Sequence, residues 1–330
     1  MDFTATLLDW YAREGRDLPW RRSRSSYAVW LCEIIMQQTR IAQGTAYWER
    51  FMATFPSVEA LAAASEDEVL RLWEGLGYYS RARNLHEAAR QIVARGAFPD
   101  TFAEIRTLKG VGDYTAAAIA SIAFGRPEPV VDGNVYRVLS RFYGLDTPVG
   151  TTAARRQFTE LARTLLPAER PGDFNEALMD FGALCCTPRS PRCGDCPLKG
   201  ACVALREGRV ENLPVKTSPA AVQERFLTYI YIRCAGYTAW RRRGPGDIWQ
   251  GLWEPFLATG LPAWTAQGRL RRLESDVRHQ LTHRLLHADF YLFESDVRPD
   301  LPSEYVWMEE EHLERLGKSR LVEMLLEKLP

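Results

Sequence analysis

The sequence predicts two unlike domains, an all-α domain of about 200 residues followed by an α+β domain of about 110. Three observations predict it. Apolar residues recur at helical spacing, punctuated by glycine and proline, from Phe3 to about Cys202. The stretch ENLPVKTSPAAVQ then brings two prolines and few large apolar groups, which suits an interdomain linker. Beyond it, RFLTYIYIRC and LLHADFYLFES carry the β-branched and aromatic enrichment of strands, before KSRLVEMLLEKL returns to a helical period. The expected boundaries are residues 1–209 for the helical domain, 210–222 for the linker and 223–330 for the second domain. No internal repeat is evident.

In the first domain, FTATLLDWYAREG has apolar residues at helical spacing, and a basic, Ser-rich loop (RRSRSS) separates it from YAVWLCEIIMQQT. The period continues through VEALAAASEDEVLRLWEGL, SRARNLHEAARQIVARG and TFAEIRTLKGVG. No long alternating run interrupts this half.

Composition narrows the class of partner. Of 330 residues, 46% are hydrophobic and 25% charged, as in ordinary soluble proteins. Forty-two basic residues balance forty-two acidic ones; 27 and 26 of these lie up to Lys216, and 15 and 16 beyond it. Long-range attraction from net charge is therefore absent, and any nucleic-acid face must be a local patch. No apolar run approaches the roughly 18 residues of a membrane span, and residues 1–11, with Asp2 and Asp9 among them, do not read as a signal peptide. The expected setting is cytoplasmic, where thiols stay reduced.

Cys186, Cys193, Cys196 and Cys202 form C-x6-C-x2-C-x5-C. So tight a thiol cluster in a reduced compartment points to a metal site rather than to disulfides. The spacing leaves zinc and an iron–sulfur cluster both open. Cys185 is a substitute ligand that would break the spacing, whereas Cys32 and Cys234 read as small core residues. Arg189, Arg192 and Lys199 lie between the ligands, as a solvated loop or as phosphate contacts.

The stretch LKGVGDYTAAAI places Gly110 and Gly112 at a helix entrance. Such a turn directs backbone N–H groups outward, and with the positive end of the next helix they form an anion site suited to a DNA phosphate.

Together with VVDGNVYRVLSR and the four-cysteine cluster, this turn resembles the endonuclease III superfamily of DNA glycosylases. Within it, EIIMQQT (residues 33–39), WEGLGYYSRARNL (73–85) and FNEALMDFGA (174–183) are similar to the adenine-specific branch. The resemblance implies a helix-hairpin-helix glycosylase domain, with its hairpin at about 104–124 and an iron–sulfur loop at 186–202. It also implies one 4Fe-4S cluster on the four cysteines and a C-terminal α+β Nudix-like domain. The implied activity is monofunctional removal of adenine mispaired with 8-oxoguanine or guanine in double-stranded DNA, by a monomer in base excision repair. Superfamily members that also cut the strand carry a lysine where this chain has Tyr114; Lys109 lies on the wrong side of the turn, so efficient β-lyase activity is not expected.

Cleaving an N-glycosidic bond needs one protonated carboxyl for the base and one ionised carboxyl for the sugar cation. Glu33, set in the apolar run WLCEIIM, is the expected acid, since burial raises a carboxyl pKa. Asp132, at a helix start, would accept backbone hydrogen bonds and stay ionised. The resemblance gives Glu33 the proton donation and later water activation, and Asp132 the sugar cation. Asn134 and Tyr114 complete the pocket, and Arg21 and Glu176 touch the flipped base. Gln38 and Tyr78 match positions that wedge into the duplex around the opposing base, with Thr39 and Leu76 beside them. Arg81 and Arg83 fit phosphate contacts.

In the second domain, residues 279–283 (HQLTH) align with a family H-x-F-S-H turn that checks for 8-oxoguanine. Leu281 replaces the phenylalanine; Thr282 replaces the serine and keeps its hydroxyl. Two histidines four apart would need a third ligand to hold a metal, and none is apparent. No G-x5-E-x7-R-E-x-x-E-E pattern follows Gly251, so pyrophosphohydrolase activity is not expected. Rival readings are a bifunctional pyrimidine glycosylase/lyase, which Glu33 and Tyr114 disfavour, and a non-catalytic DNA-binding iron–sulfur protein, which the paired Glu33 and Asp132 disfavour.

Overall fold

The computed structural model describes residues 1–217, 222–281 and 283–330. The chain folds as two compact units, Met1–Ala62 with Glu87–Ser218, and Ala63–His86 with Pro219–Pro330.

The first unit is helical throughout its described length apart from one bridge, Val149 to Lys216. Side-chain caps start its helices. Asp2 accepts from Ala5 N at 3.1 Å ahead of Phe3–Glu14, and Ser25 from Ala28 N at 3.2 Å ahead of Ser26–Ile35. Gly125 and Gly144, at φ 63° and 71°, end Asp113–Phe124 and Gly133–Tyr143 in the left-handed conformation. The helices Phe3–Glu14 and Gly133–Tyr143 pack on Pro171–Leu184 around Leu7, Trp10, Val135, Leu139, Phe174 and Phe181. That core holds the end of the helix bearing Asp132 against the segment that leads to the cysteines. Residues 210–216, read as the start of the linker, are tied to this unit. Arg141 Nε donates to Leu213 O at 3.0 Å, and Val149 N to Val215 O at 2.9 Å.

The run VEALAAASEDEVLRLWEGL is two helices, Val58–Ala63 and Glu66–Leu72. A capping box breaks it: Glu68 N donates to Ser65 Oγ at 3.2 Å, and Ser65 N to Glu68 Oε2 at 2.8 Å. Likewise only Phe102–Ile105 of TFAEIRTLKGVG is helical; beyond it Thr107 N and Leu108 N bond three residues back, to Glu104 O and Ile105 O, in tight turns.

The second unit is built on a six-stranded sheet of β1 (Gln223–Cys234), β2 (Tyr237–Arg242), β3 (Trp253–Ala258), β4 (Arg269–Gln280), β5 (Arg284–Glu294) and β6 (Val306–Glu309), in the order β4-β5-β1-β3-β2-β6. The β1–β5 pair is parallel and the others antiparallel. Tyr229, Tyr231, Trp240, Phe290 and Leu292 pack under the helix Arg320–Leu326, while Ile230, Ile232, Phe293 and Tyr305 form a second cluster. Residues 63–86 belong to this unit through specific bonds. Tyr79 Oη donates to Lys318 O at 2.9 Å, Arg83 donates to Gln250 O, and Arg242 pairs with Glu66 at 2.8 Å and Asp67 at 3.1 Å.

Candidate active site

Glu33 sits two turns into Ser26–Ile35, flanked by the buried Cys32 and Ile34. The residue as a whole keeps partial exposure, but its carboxyl lies in dense surroundings. Burial dominates and pushes its pKa up to about 7. The Tyr114 hydroxyl, hydrogen-bonded to it, and Arg21 act in the opposite sense, while Glu176 and Asp132 add to the rise. Tyr114, on the first turn of Asp113–Phe124, also reaches Met179 Sδ at 3.4 Å. Burial first, then the charges of Glu33 and Asp132, hold its phenol far above the ordinary range.

Asp132 caps Gly133–Tyr143, accepting from Val135 N at 2.8 Å through Oδ1 and from Asn134 Nδ2 at 2.8 Å through Oδ2. Asn134 is itself fixed by Arg137, whose Nη2 donates to Asn134 Oδ1 at 2.8 Å and to Gly182 O at 2.7 Å. Arg137 Nε donates to Cys186 O at 2.7 Å. A chain of bonds thus runs from the Asp132 carboxylate to the first cysteine of the loop. Asn175 anchors the approach to Asp132: it accepts from Val130 N at 3.0 Å and donates to Glu128 O at 2.8 Å.

Glu176 is buried and pairs with Arg21 at 3.0 Å and Arg24 at 2.9 Å, with the Tyr11 hydroxyl donating at 3.2 Å. Burial raises its pKa, and the two arginines pull against that rise. Arg21 also bonds Asp180 at 2.8 Å, and Arg16 bonds it too. Burial alone would raise the Asp180 pKa, but Arg21 and Arg16 hold it below the usual range. Thus Glu33, Tyr114, Asp132, Arg21 and Glu176 are electrostatic neighbours, and Asn134 is bonded to Asp132. The supporting residues Arg137, Asn175, Asp180, Arg16 and Arg24 were not read from the sequence. Their one signal was the recurrence of polar residues on otherwise apolar helices, as in FNEALMD.

At the hairpin, Gly110 has φ 75° and needs glycine for that reason. Gly112 does not: its φ is −93°, and a Cβ there would meet nothing within 4 Å. It starts Asp113–Phe124 with no side-chain cap, so N–H groups of the first turn face outward.

Gln38 is exposed at φ 56°, and Tyr78 is 46% exposed at φ 50°. Both are non-glycine residues in the left-handed region, where strain accompanies function. Thr39 follows Gln38, its hydroxyl 3.4 Å from Gln37 O. Leu76 is buried and packs inside the second unit, in contrast to the exposed Tyr78. Arg81 and Arg83, read as fitting phosphate contacts with a solvated helix face as the alternative, both donate to main-chain carbonyls. Arg81 is buried and donates to Gly77 O at 3.2 Å, and Arg83 donates to Gln250 O; both are drawn inward to satisfy carbonyls of tight turns. In the HQLTH segment, His279, Gln280, Leu281 and His283 line a cavity with Tyr78, while Thr282 lies outside the described residues.

Cys186, Cys193, Cys196 and Cys202 line one small cavity of about 30 Å3, with Arg141 and Lys199 beside them. Arg141 Nη1 lies 3.5 Å from Cys186 Sγ. The four thiols ring a space, with cations at hand for a group of net negative charge. An all-thiolate donor set of this kind fits an iron–sulfur cluster. Cys185 is buried and reaches the same cavity.

Three family models match: "HhH-GPD superfamily base excision DNA repair protein" over residues 31–164, "Iron-sulfur binding domain of endonuclease III" over 186–202, and "NUDIX domain" over 228–328. The chain accordingly carries a 4Fe-4S cluster, and the matched stretch 186–202 is the one that bears the four cysteines. Among solved structures, a thermostable thymine-DNA glycosylase superposes with TM-score 0.57 at 30% identity, covering 62% of this chain and 95% of that one. An endonuclease III–DNA complex, at TM-score 0.54 and 21% identity, shares the fold. The adenine DNA glycosylase of Homo sapiens is 46% identical over 222 residues, 64% of this chain and 41% of the relative. The chain therefore spans less than half the length of that relative, as it does for the mouse and rat proteins. The adenine DNA glycosylase of Buchnera aphidicola subsp. Acyrthosiphon pisum is 35% identical over 253 residues, 76% of this chain and 72% of the relative. With that identity over more than two thirds of the relative, the chain belongs to the adenine DNA glycosylase family.

Proposed function

We propose that this chain removes adenine from double-stranded DNA by hydrolysing its N-glycosidic bond, acting on adenine opposite 8-oxoguanine or guanine. The observation that carries the reading is a carboxyl, Glu33, whose burial pushes its pKa up to about 7 within electrostatic reach of a capped carboxylate, Asp132. Glu33 donates its proton to a ring nitrogen of adenine, and the C1′–N9 bond breaks with its electron pair leaving on the base. Asp132 faces the oxocarbenium cation that remains on the sugar. The Glu33 carboxylate then takes a proton from the attacking water, which restores the acid. The Arg21–Glu176 pair, with Asn134 and Tyr114, shapes the pocket that receives the flipped base. The outward N–H groups at Gly110 and Gly112 hold a backbone phosphate, while Gln38 and Tyr78, both exposed, wedge into the duplex around the opposing base. Cys186, Cys193, Cys196 and Cys202 would hold the 4Fe-4S cluster, which would order the loop that begins at Arg137's acceptor, Cys186 O.

Single-turnover adenine release from duplexes with adenine opposite 8-oxoguanine, guanine and cytosine tests this reading, with the first two expected to be cleaved faster. Release by Glu33→Gln at the rate of the parent would end it. Tyr114 offers no amine for a Schiff base, so strand nicking is expected from Tyr114→Lys and not from the parent.

A further inference from the structure

The second unit holds a cavity of about 570 Å3 whose walls include Tyr78, Trp249, His279, Leu281, His283 and Arg284. Two of these share an unusual backbone. Trp249 has φ 59° and Tyr78 φ 50°, in the left-handed region that bulky side chains avoid. Hydrogen bonds enforce both conformations. Gly77 O accepts from Trp73 Nε1 at 2.9 Å and from Arg81 Nη2 at 3.2 Å. Around Trp249, Arg243 Nε donates to Ile248 O at 2.9 Å, Leu252 N to Trp249 O at 3.0 Å and Ile248 N to Asp247 Oδ1 at 2.7 Å. Arg83 links the two turns through Gln250 O. Turns held this firmly against their backbone preference present their side chains in one orientation. The Trp249 indole is half-buried, with the Arg243 guanidinium 5.9 Å and the His279 ring 6.1 Å from its centroid.

We propose that Trp249 is a specificity-determining residue that, with Tyr78, forms the aromatic walls of a site for the purine on the strand opposite the excised adenine. The inference rests on the adenine glycosylase reading and adds a residue to it. The cavity volume lies in the usual range for small planar ligands, roughly 300–1,000 Å3. Indole and phenol rings suit base stacking, and His279, Gln280 and His283 place donors and acceptors among its lining for a base edge. Leu281 lines the same cavity but offers no ring; Trp249 supplies one.

The test measures dissociation constants of the holoprotein for duplexes carrying a reduced abasic analogue opposite 8-oxoguanine, opposite guanine, and opposite a second abasic analogue. Trp249→Leu is expected to shrink the preference for base-bearing over base-less duplexes by about tenfold, the size of one lost stack, and Trp249→Phe to restore most of it. Visible absorbance and circular dichroism of both variants check that cluster and fold survive. A preference unchanged in Trp249→Leu, or affinities that fall alike for all three duplexes, would overturn the proposal. A parent protein that binds these duplexes with that preference yet releases no adenine would sink the proposed activity and leave Trp249 as a base-stacking residue.

Discussion

Replacing Glu33 by glutamine should abolish base release and, at neutral pH, make the protein more stable. In the unfolded chain this carboxyl ionises near its ordinary 4.5; in the folded protein it is held at about 7. Below the lower value both states are protonated and the mismatch costs nothing. Between the two, the unfolded state gains by ionising while the folded state does not, so stability falls as pH rises. Above the upper value the cost levels off at about 3 kcal/mol, from 1.36 kcal/mol per decade of proton affinity. This is opposite in sign to a carboxylate held by an ion pair, such as Asp180. Glutamine keeps the size and an acceptor for Tyr114 but never ionises. Urea unfolding of both proteins, followed by circular dichroism, should give Glu33→Gln an advantage of about 1 kcal/mol at about pH 5, growing to about 3 kcal/mol at about pH 8. Because cluster and second unit are common to both proteins, only the growth of the gap with pH is read. A gap that is flat across that range, or a variant less stable than the parent at the upper end, would refute the claim that burial holds this proton.

Other substitutions separate charge, packing and approach. Asp132→Asn retains an acceptor for Val135 N but loses the negative charge, so single-turnover base release should fall at least about 100-fold while the melting temperature moves by no more than a few degrees. At Gly182 a Cβ would lie 2.6 Å from Asn134 Cβ and 3.1 Å from its Cα. Gly182→Ala should therefore displace Asn134, costing about 1–3 kcal/mol in a denaturant titration and slowing base release as the partner of Asp132 moves. Gly112→Ala meets open space and a permissive φ, so it should cost at most about 1 kcal/mol of stability, yet weaken duplex binding by about tenfold in a fluorescence titration, because a methyl group now stands where phosphate approaches.

Much of this architecture was legible because its signals are local. Helical period marked most of the first unit, four cysteines marked the cluster, and strands β1 and β5 stood out as apolar runs. Strand β4 did not. It is polar and its ladder to β5 shifts register between Arg272 and Glu274 and again between Glu274 and Val277, which erases the alternation that betrays a strand. The break at Ser65 was written in a capping box but hidden under an unbroken helical period. In the site, Glu33 and Asp132 could be named from residue type and neighbours, because one lies in an apolar helix and the other starts one. Arg137 and Asn175 could not, since a buried polar residue earns its meaning only from partners 45 or more positions away. Arg81 and Arg83 misled for a related reason: sequence reports a positive charge, and only folding decides that carbonyls consume it.

The discontinuity of the second unit bears on how such chains can be recombined. Leu70 lies against Gly317, and Tyr79 and Arg83 bond Lys318 O and Gln250 O. A chimaera that swaps only the residues after the linker would therefore graft a foreign surface onto a native 63–86 insert, whose hydroxyl and guanidinium need main-chain carbonyls held in the same place. The module that can be transplanted intact is a two-piece one, its halves joined by bonds between residues as far as 239 positions apart, Tyr79 and Lys318.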